Sequence, residues 1–247
     1  MTIYAIGDLH LSGEPPVKPM NIFSPLWENH WERIRTHWLE TVTNDDIVLL
    51  AGDISWAMSL SDAAPDLQRV AALPGKKLMI RGNHDFWWQS QSKNSALTGD
   101  AITYIKSGAV LLPDGTAICG TRGWYCPDDP HFKEDHETPY RREKLRMEEA
   151  LKAADQQGAV RKIMLLHHPP FYRPDRGSEF LDILSSYGVT TCVFGHIHGL
   201  KPRTLFPRIY QDMVLQLVSA DYSECRLQRV ILTKEEMEAY RNNEPNC

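Results

Sequence analysis

Five short apolar runs in this chain each end at a cluster of Gly, Asp, Asn or His, and that repeated device constrains the fold more than any other feature. Ile3–Ile6 leads into Gly7-Asp8-Leu9-His10, and Ile47–Ala51 into Gly52-Asp53. Leu78–Ile80 leads into Arg81-Gly82-Asn83-His84-Asp85, Ile163–Leu166 into His167-His168-Pro169-Pro170, and Thr191–Phe194 into Gly195-His196-Ile197-His198-Gly199. All five runs have the length and β-branched content of strands, and each is punctuated where a strand should stop. In open α/β sheets ligands bind at strand ends, because side chains from several strands converge there. The pattern predicts an α/β fold with its chemistry gathered at the ends of these strands.

The intervening segments read as helices. Pro25 to about Val42 is expected to be one helix, with Ser24 as its cap, Pro25 in its first turn, and Trp27, Trp31, Ile34 and Trp38 forming a core stripe at spacings of four, three and four. Asp62 to about Leu73 is a second helix, stopped by Pro74-Gly75, and Tyr140 to about Ala154 a charged third. Ala109–Leu112 and Thr116–Gly120, split by Pro113-Asp114-Gly115, read as a hairpin. Beyond Gly199 the pattern turns to strands, including Met213–Val218 and Arg226–Leu232, before a short charged tail. With no repeat or linker, the 247 residues are expected to form one domain, 1–247.

Composition narrows the function classes. No run approaches the eighteen or so uninterrupted apolar residues of a membrane span. Met1 to Ile6 lacks a basic leader and reads as a first strand, which makes the cytoplasm the expected location. Five scattered cysteines without a C-x-x-C pair suggest neither a disulfide framework nor a thiolate zinc site. A net charge of −5 argues against a broad nucleic-acid surface and leaves a small molecule as the expected partner.

Each strand-end motif alone has an ordinary structural explanation; together they do not. Asp8 and His10 are two apart, as are His196 and His198, so on extended backbone each pair faces one side and can grip one ion. Glycine before each carboxylate or amide lets the chain turn sharply. Imidazole, carboxylate and carboxamide groups at the ends of five strands point to a metal cluster.

In order, these motifs read D-x-H, G-D, G-N-H-D, His and G-H-x-H, and from Ile3 to Gly199 the chain resembles the calcineurin-like metallophosphoesterases, including bacterial-type phosphohydrolases. The resemblance implies a four-layer α/β/β/α sandwich with two central mixed β-sheets. It implies two divalent or trivalent metal ions, one under Asp8, His10, Asp53 and His198, the other under Asp53, Asn83, His167 and His196, with Asp53 bridging. Mixed N/O ligands suit Mn, Fe, Zn, Co or Ni. His168 is either a further ligand or a pocket residue. A hydroxide bridging the metals would attack phosphorus in line, His84 would protonate the leaving alkoxide or stabilise the phosphoryl oxygens, and Asp85 would orient His84.

The substrate implied is a small phosphomonoester or phosphodiester, a nucleotide among them. In Phe86-Trp87-Trp88 two rings are expected in the core and one, assigned to Trp87, against the substrate; Arg122, in a glycine-flanked loop, is the candidate phosphate fork. The stretches Leu11–Met20 and Cys126–Thr138 are expected to edge the mouth of the site. Two alternatives stay open: a phosphoprotein phosphatase, which would carry Glu where this chain has Asp85, and a non-catalytic scaffold of the same fold. A nuclease is disfavoured by charge.

Overall fold

The computed structural model describes residues 1–202 and 204–243. Four strands, β1 (Ile3–Ile6), β2 (Ile47–Leu50), β3 (Lys76–Ile80) and β4 (Ile102–Ile105), run parallel in one sheet, which β11 (Gln228–Arg229) extends antiparallel beside β1. The second sheet has the order β5 (Gly108–Leu111), β6 (Thr116–Gly120), β7 (Arg161–Leu166), β8 (Thr191–Phe194), β10 (Met213–Leu217), β9 (Arg208–Tyr210), with β5 and β9 antiparallel at its edges.

Period-two alternation divides each strand between two cores. Ala5, Leu49, Ile80, Ile118, Leu165 and Val193 meet between the sheets. Ile6, Val48 and Leu50 face outward onto Ile34 and Trp38 of α1 (His30–Thr41) and Leu67 and Val70 of α2 (Leu60–Ala71). Met164, Leu166 and Phe194 face the other way, onto Met147 and Leu151 of α4 (Glu137–Gln156) and Phe180 and Leu184 of α5 (Glu179–Ser186). Two mixed sheets with helices outside both make the α/β/β/α sandwich that the sequence resemblance implies.

Register brings the chemistry together. Ile6 lies opposite Leu50, and Leu50 opposite Met79, so the turns after β1, β2 and β3 emerge side by side. Leu166, Phe194 and Leu217 are likewise level in the second sheet. The sheets join at this end, where Gly7 N–H donates to Val218 O at 2.8 Å and Gly7 O accepts from Ala220 N at 3.1 Å.

Several expected boundaries change. The helix from Pro25 is interrupted: Pro25–Trp27 is a 3-10 turn capped by Ser24, and Asn29 in left-handed backbone (φ 49°) separates it from α1. The second and third helices each begin earlier, α2 after Ser59, which caps it, and α4 at Glu137. Within Arg226–Leu232 the strand is Gln228–Arg229, with Val230 N–H also donating to Ile3 O at 2.9 Å, and the charged tail forms helix α6 (Lys234–Asn243). The sequence reading left β4, β9, α5 and α3 (Gln91–Thr98) unassigned. Cys119, Cys126, Cys192 and Cys225 are free and buried, and no described helix is long and apolar enough to cross a membrane.

Candidate metal centre

The backbone at the strand ends is bent hard. Asp8, His10, Asp53 and His196 have φ of 58°, 47°, 53° and 69°, a left-handed region that costs a residue with a side chain about 1–3 kcal/mol and persists where surrounding structure enforces it. Two glycines make room for the carboxylates. A Cβ on Gly82 would collide with Asp53 Oδ1, and one on Gly195 with Asp8 Oδ2.

Seven side chains foreseen as ligands come together here. Asn83 Oδ1 lies 2.6 Å from His167 Nε2 and 2.9 Å from His196 Nδ1. Asp53 Oδ2 lies 3.5 Å from His167 Nε2 and 3.9 Å from His10 Nε2. Asp8 Oδ1 is 3.5 Å from His198 Nε2, which is 3.4 Å from His10 Nε2. Donor atoms of Asp8, His10 and His198, of Asp8, Asp53 and His167, and of His167, His168 and His196 fall within 4.8 Å of one another in each group.

The protons of two imidazoles are directed away from this cluster. His167 Nδ1 lies 2.9 Å from Ala51 O, an acceptor only, so Nδ1 carries a proton there and Nε2 is the nitrogen that faces Asn83 and Asp53. His198 Nδ1 lies 2.9 Å from Asp221 Oδ1, and Asp221 Oδ2 also accepts from Gly199 N–H at 2.9 Å. Imidazole lone pairs facing carboxylate oxygens need a cation or a proton between them, and a set of N and O donors arranged this way fits divalent metals.

Electrostatics say which species stands there without metal. Burial raises Asp53 to about 7, an effect that His167 opposes and the charges of Asp85 and Asp8 reinforce. For Asp8 burial also pushes upward, but His198 and the other imidazoles outweigh it and hold the group low. Burial alone would lower His198; its bonds to Asp221 and Asp8 lift it to about 10. Burial holds His196 down at about 3.

His198 is therefore protonated at neutral pH until a metal displaces its proton. Below a pKa of about 10 the apparent metal affinity should rise about tenfold per pH unit, and more steeply below about 7, where Asp53 must also lose a proton. Calorimetric Mn titrations at several pH values check this, and a pH-independent affinity would contradict it.

Around the cluster, structure corrects two expectations and adds a residue. Asp85 does not reach the His84 ring. Its buried carboxylate accepts from the backbone N–H of Gly82, Asp53 and Ile54 at 2.8, 2.8 and 2.9 Å and from Trp87 Nε1 at 3.0 Å, so it ties two ligand loops together. Trp87 is fully buried by that bond and does not face substrate; Phe86 is the exposed ring, 6.3 Å from His84. Asp221 escaped the sequence reading. It is 2% exposed and fixes His198 as outer-shell carboxylates fix metal-bound histidines. Its only local signal is an acidic residue soon after β10. Asp221→Ala should weaken metal binding about 10–100-fold, readable by competition with a chelating dye, and unchanged affinity would remove Asp221 from the site.

The remaining candidates flank the cluster. His84 is half-buried, its backbone N–H donates to Asp53 Oδ1 at 2.7 Å, and its ring packs 4.4 Å from Trp56, which also stacks at 4.6 Å on His10. Trp27 lies 5.6 Å from His198 and 6.0 Å from His10, so this core tryptophan also walls the centre. Arg122 supports the site through its backbone oxygen, which accepts from His167 N and His168 N at 3.1 and 2.9 Å, while its guanidinium lies 4.3 Å over Trp124. Residues of Leu11–Met20 line a cleft reaching His10, and Cys126, Asp129 and His131 line one reaching His196.

A family model described as calcineurin-like phosphoesterase matches residues 1–200. Among solved structures, the protein TT1561 of Thermus thermophilus is similar at TM-score 0.58 and 14% identity, over 92% of this chain and 96% of that one, a likeness of fold alone. A protein of unknown function, AQ665 from Aquifex aeolicus, aligns over 97% of this chain and 98% of that one at 17% identity, with TM-score 0.46. A novel archaeal phosphodiesterase aligns over 88% and 82% at 13% identity, with TM-score 0.39. The last two superpose too loosely to carry an argument. No curated protein matches the chain.

Proposed function

The chain belongs to the calcineurin-like phosphoesterase family, and from that premise we propose that it hydrolyses small phosphomonoesters or phosphodiesters with two metal ions held by Asp8, His10, Asp53, Asn83, His167, His196 and His198. One observation carries the reading. Ala51 O and Asp221 hold the outer protons of His167 and His198, so that their Nε2 atoms and the oxygens of Asp53 and Asp8 converge on one small space. When bound, the metals would acidify a water and neutralise charge on the phosphoryl group.

The chain's own residues supply the rest. Asp53 Oδ2 lies within ion-pair reach of both His10 and His167, the position from which a carboxylate would be shared between two metals. Its Oδ1 also accepts from the backbone N–H of His84 at 2.7 Å, which fixes the carboxylate against the loop that carries the imidazole. Burial, followed by the charges of His167 and Lys18, keeps the His84 imidazole below its ordinary value. At neutral pH it therefore carries a single N–H, suited to donating to a phosphoryl oxygen whose charge grows during the reaction.

His84→Ala tests this role. Metal content should stay at two ions per chain while turnover of a p-nitrophenyl ester falls about 10²-fold or more. Full retained activity would take His84 out of the mechanism. The same assay, run on p-nitrophenyl phosphate and on its bis ester, separates a phosphatase from a phosphodiesterase by which ester is preferred.

A further inference from the structure

The loop after β6 is locked to the ligand loop after β7. Arg122 O accepts from His167 N and His168 N. Glu143 of α4, 1% exposed, accepts from Thr121 Oγ1 and from Gly123 N at 3.1 Å. Gly123 takes φ 71°, and a Cβ there would press on His168 O at 3.1 Å, so the two loops approach this closely only through glycine. Two residues on, the loop presents Tyr125. Its ring stacks on His136 at 5.3 Å and meets His168 and His196 at 4.9 and 5.8 Å.

Tyr125 therefore stands on the His196 side of the metal centre, whereas His84 stands on the His10 side, 5.8 Å from that ring. The Tyr125 hydroxyl has no hydrogen-bond partner among the described residues and is not shut away from solvent, so it opens onto the cleft of about 460 Å³ that runs past His196. Asp129, the described carboxylate lining that cleft, is engaged by the backbone N–H and ring of His131 at 2.8 and 3.0 Å. No described lysine or arginine lines it, so a phosphoryl oxygen on this side would meet a neutral donor rather than a cation. A phenol keeps its proton until about pH 10. Burial raises Tyr125 further, and the charges of Asp129 and Asp53 reach it and add to that.

We propose that the Tyr125 hydroxyl donates a hydrogen bond to the phosphoryl group of the substrate, on the side of the metal centre away from His84. The inference rests on the proposed hydrolase reading and adds a catalytic residue to it. In phosphoryl transfer negative charge spreads over three equatorial oxygens. Donors held in place beforehand and aimed at that charge stabilise the transition state more than the ground state. The His84 imidazole serves one oxygen and Tyr125 another. The ties from Thr121 and Gly123 to Glu143, and from Arg122 to the ligand loop, hold the second donor in position before substrate arrives.

Tyr125→Phe keeps the ring and its packing and removes a hydroxyl that has no bond in the fold to lose, so the variant should fold and bind metal as before. Two quantities are read on the Mn-loaded, full-length chain: affinity for inorganic phosphate by calorimetry, and kcat and KM for the better of the two p-nitrophenyl esters. Phosphate should bind Tyr125→Phe about tenfold more weakly, or worse, as when a hydrogen bond to a charged group is lost. Turnover should fall about 10-fold to 10²-fold at unchanged metal content, with kcat falling more than KM rises. Tyr172→Phe, which removes a hydroxyl elsewhere in the same cleft, should change neither. Equal phosphate affinity with and without the Tyr125 hydroxyl, no phosphate binding by either protein, or an equal loss in Tyr172→Phe would overturn the inference. So would unchanged kcat in Tyr125→Phe where the unaltered chain is active. If the unaltered chain cleaves neither ester, the hydrolase reading falls and phosphate affinity still decides the place of Tyr125. If it cleaves one and Tyr125→Phe matches it in both quantities, the inference falls alone.

Discussion

Asp85→Ala is expected to destabilise the chain by about 3–5 kcal/mol, because it strands several buried donors at once, and to weaken metal binding with it. The carboxylate is fully buried and accepts from Gly82 N, Asp53 N, Ile54 N and Trp87 Nε1. Alanine would strand those donors where no water reaches, each at a cost of about 1–3 kcal/mol before relaxation. The loops carrying Asp53 and Asn83 are held together by this side chain, so their ligands should lose their mutual position as stability falls. Urea unfolding gives the first effect as a lower midpoint at unchanged slope, and metal titration gives the second. A loss below about 1 kcal/mol would mean that the loops hold without Asp85.

Asp53→Asn should leave the fold in place and disable the centre. The amide oxygen can still accept the His84 N–H that now reaches Asp53 Oδ1 at 2.7 Å, so the local backbone keeps its tie. What disappears is the negative charge and the second oxygen facing His10 and His167. Bound metal should drop to one ion per chain or fewer, and turnover by about 10³-fold or more, because metal stabilisation of the phosphoryl transition state is worth several kcal/mol. Metal analysis after desalting, set beside the initial rate, checks both. Two retained ions with undiminished turnover would show that Asp53 is not the bridge.

The strand-end motifs were legible in the sequence because their signal is local. An apolar run followed by Gly and a ligand residue marks both where a strand stops and where its chemistry starts, and β1, β2, β3, β7 and β8 all end within a residue of the expected positions. The glycines show why the pattern is tight: Gly82 and Gly195 sit against Asp53 and Asp8 with no room for a Cβ. Asp221 and Asp85 were not legible in the same way, since their roles depend on which distant N–H or imidazole the fold brings to them. Asp85 follows His84 directly, yet its carboxylate turns into the core. Adjacency in sequence says little about which neighbour a buried acid satisfies.

The tryptophans teach a similar lesson. Trp27, Trp31, Ile34 and Trp38 fit a single helical stripe, and nothing in that spacing marks the left-handed Asn29 that breaks it. The break lets Trp27 turn from a helix face to the wall of the metal centre, edge-on to His10. In Phe86-Trp87-Trp88 only Trp87 is fully buried, with Trp88 partly so: Trp87 has its indole N–H satisfied inside by Asp85, and Phe86 has no polar atom to satisfy. A buried tryptophan needs an acceptor, and here that acceptor decided which ring stayed outside.

On the reading proposed above, this cluster holds two metals and hydrolyses a phosphoester with them. The direct measurement is hydrolysis of p-nitrophenyl phosphate and bis-p-nitrophenyl phosphate by chelator-treated protein, with Mn, Fe, Zn, Co and Ni added back one at a time and bound metal counted in each sample. No turnover is expected without metal, and turnover of at least one ester should return as occupancy approaches two ions per chain. Two ions bound per chain with neither ester cleaved by any metal would contradict it and make a non-catalytic metal-binding role the reading to pursue.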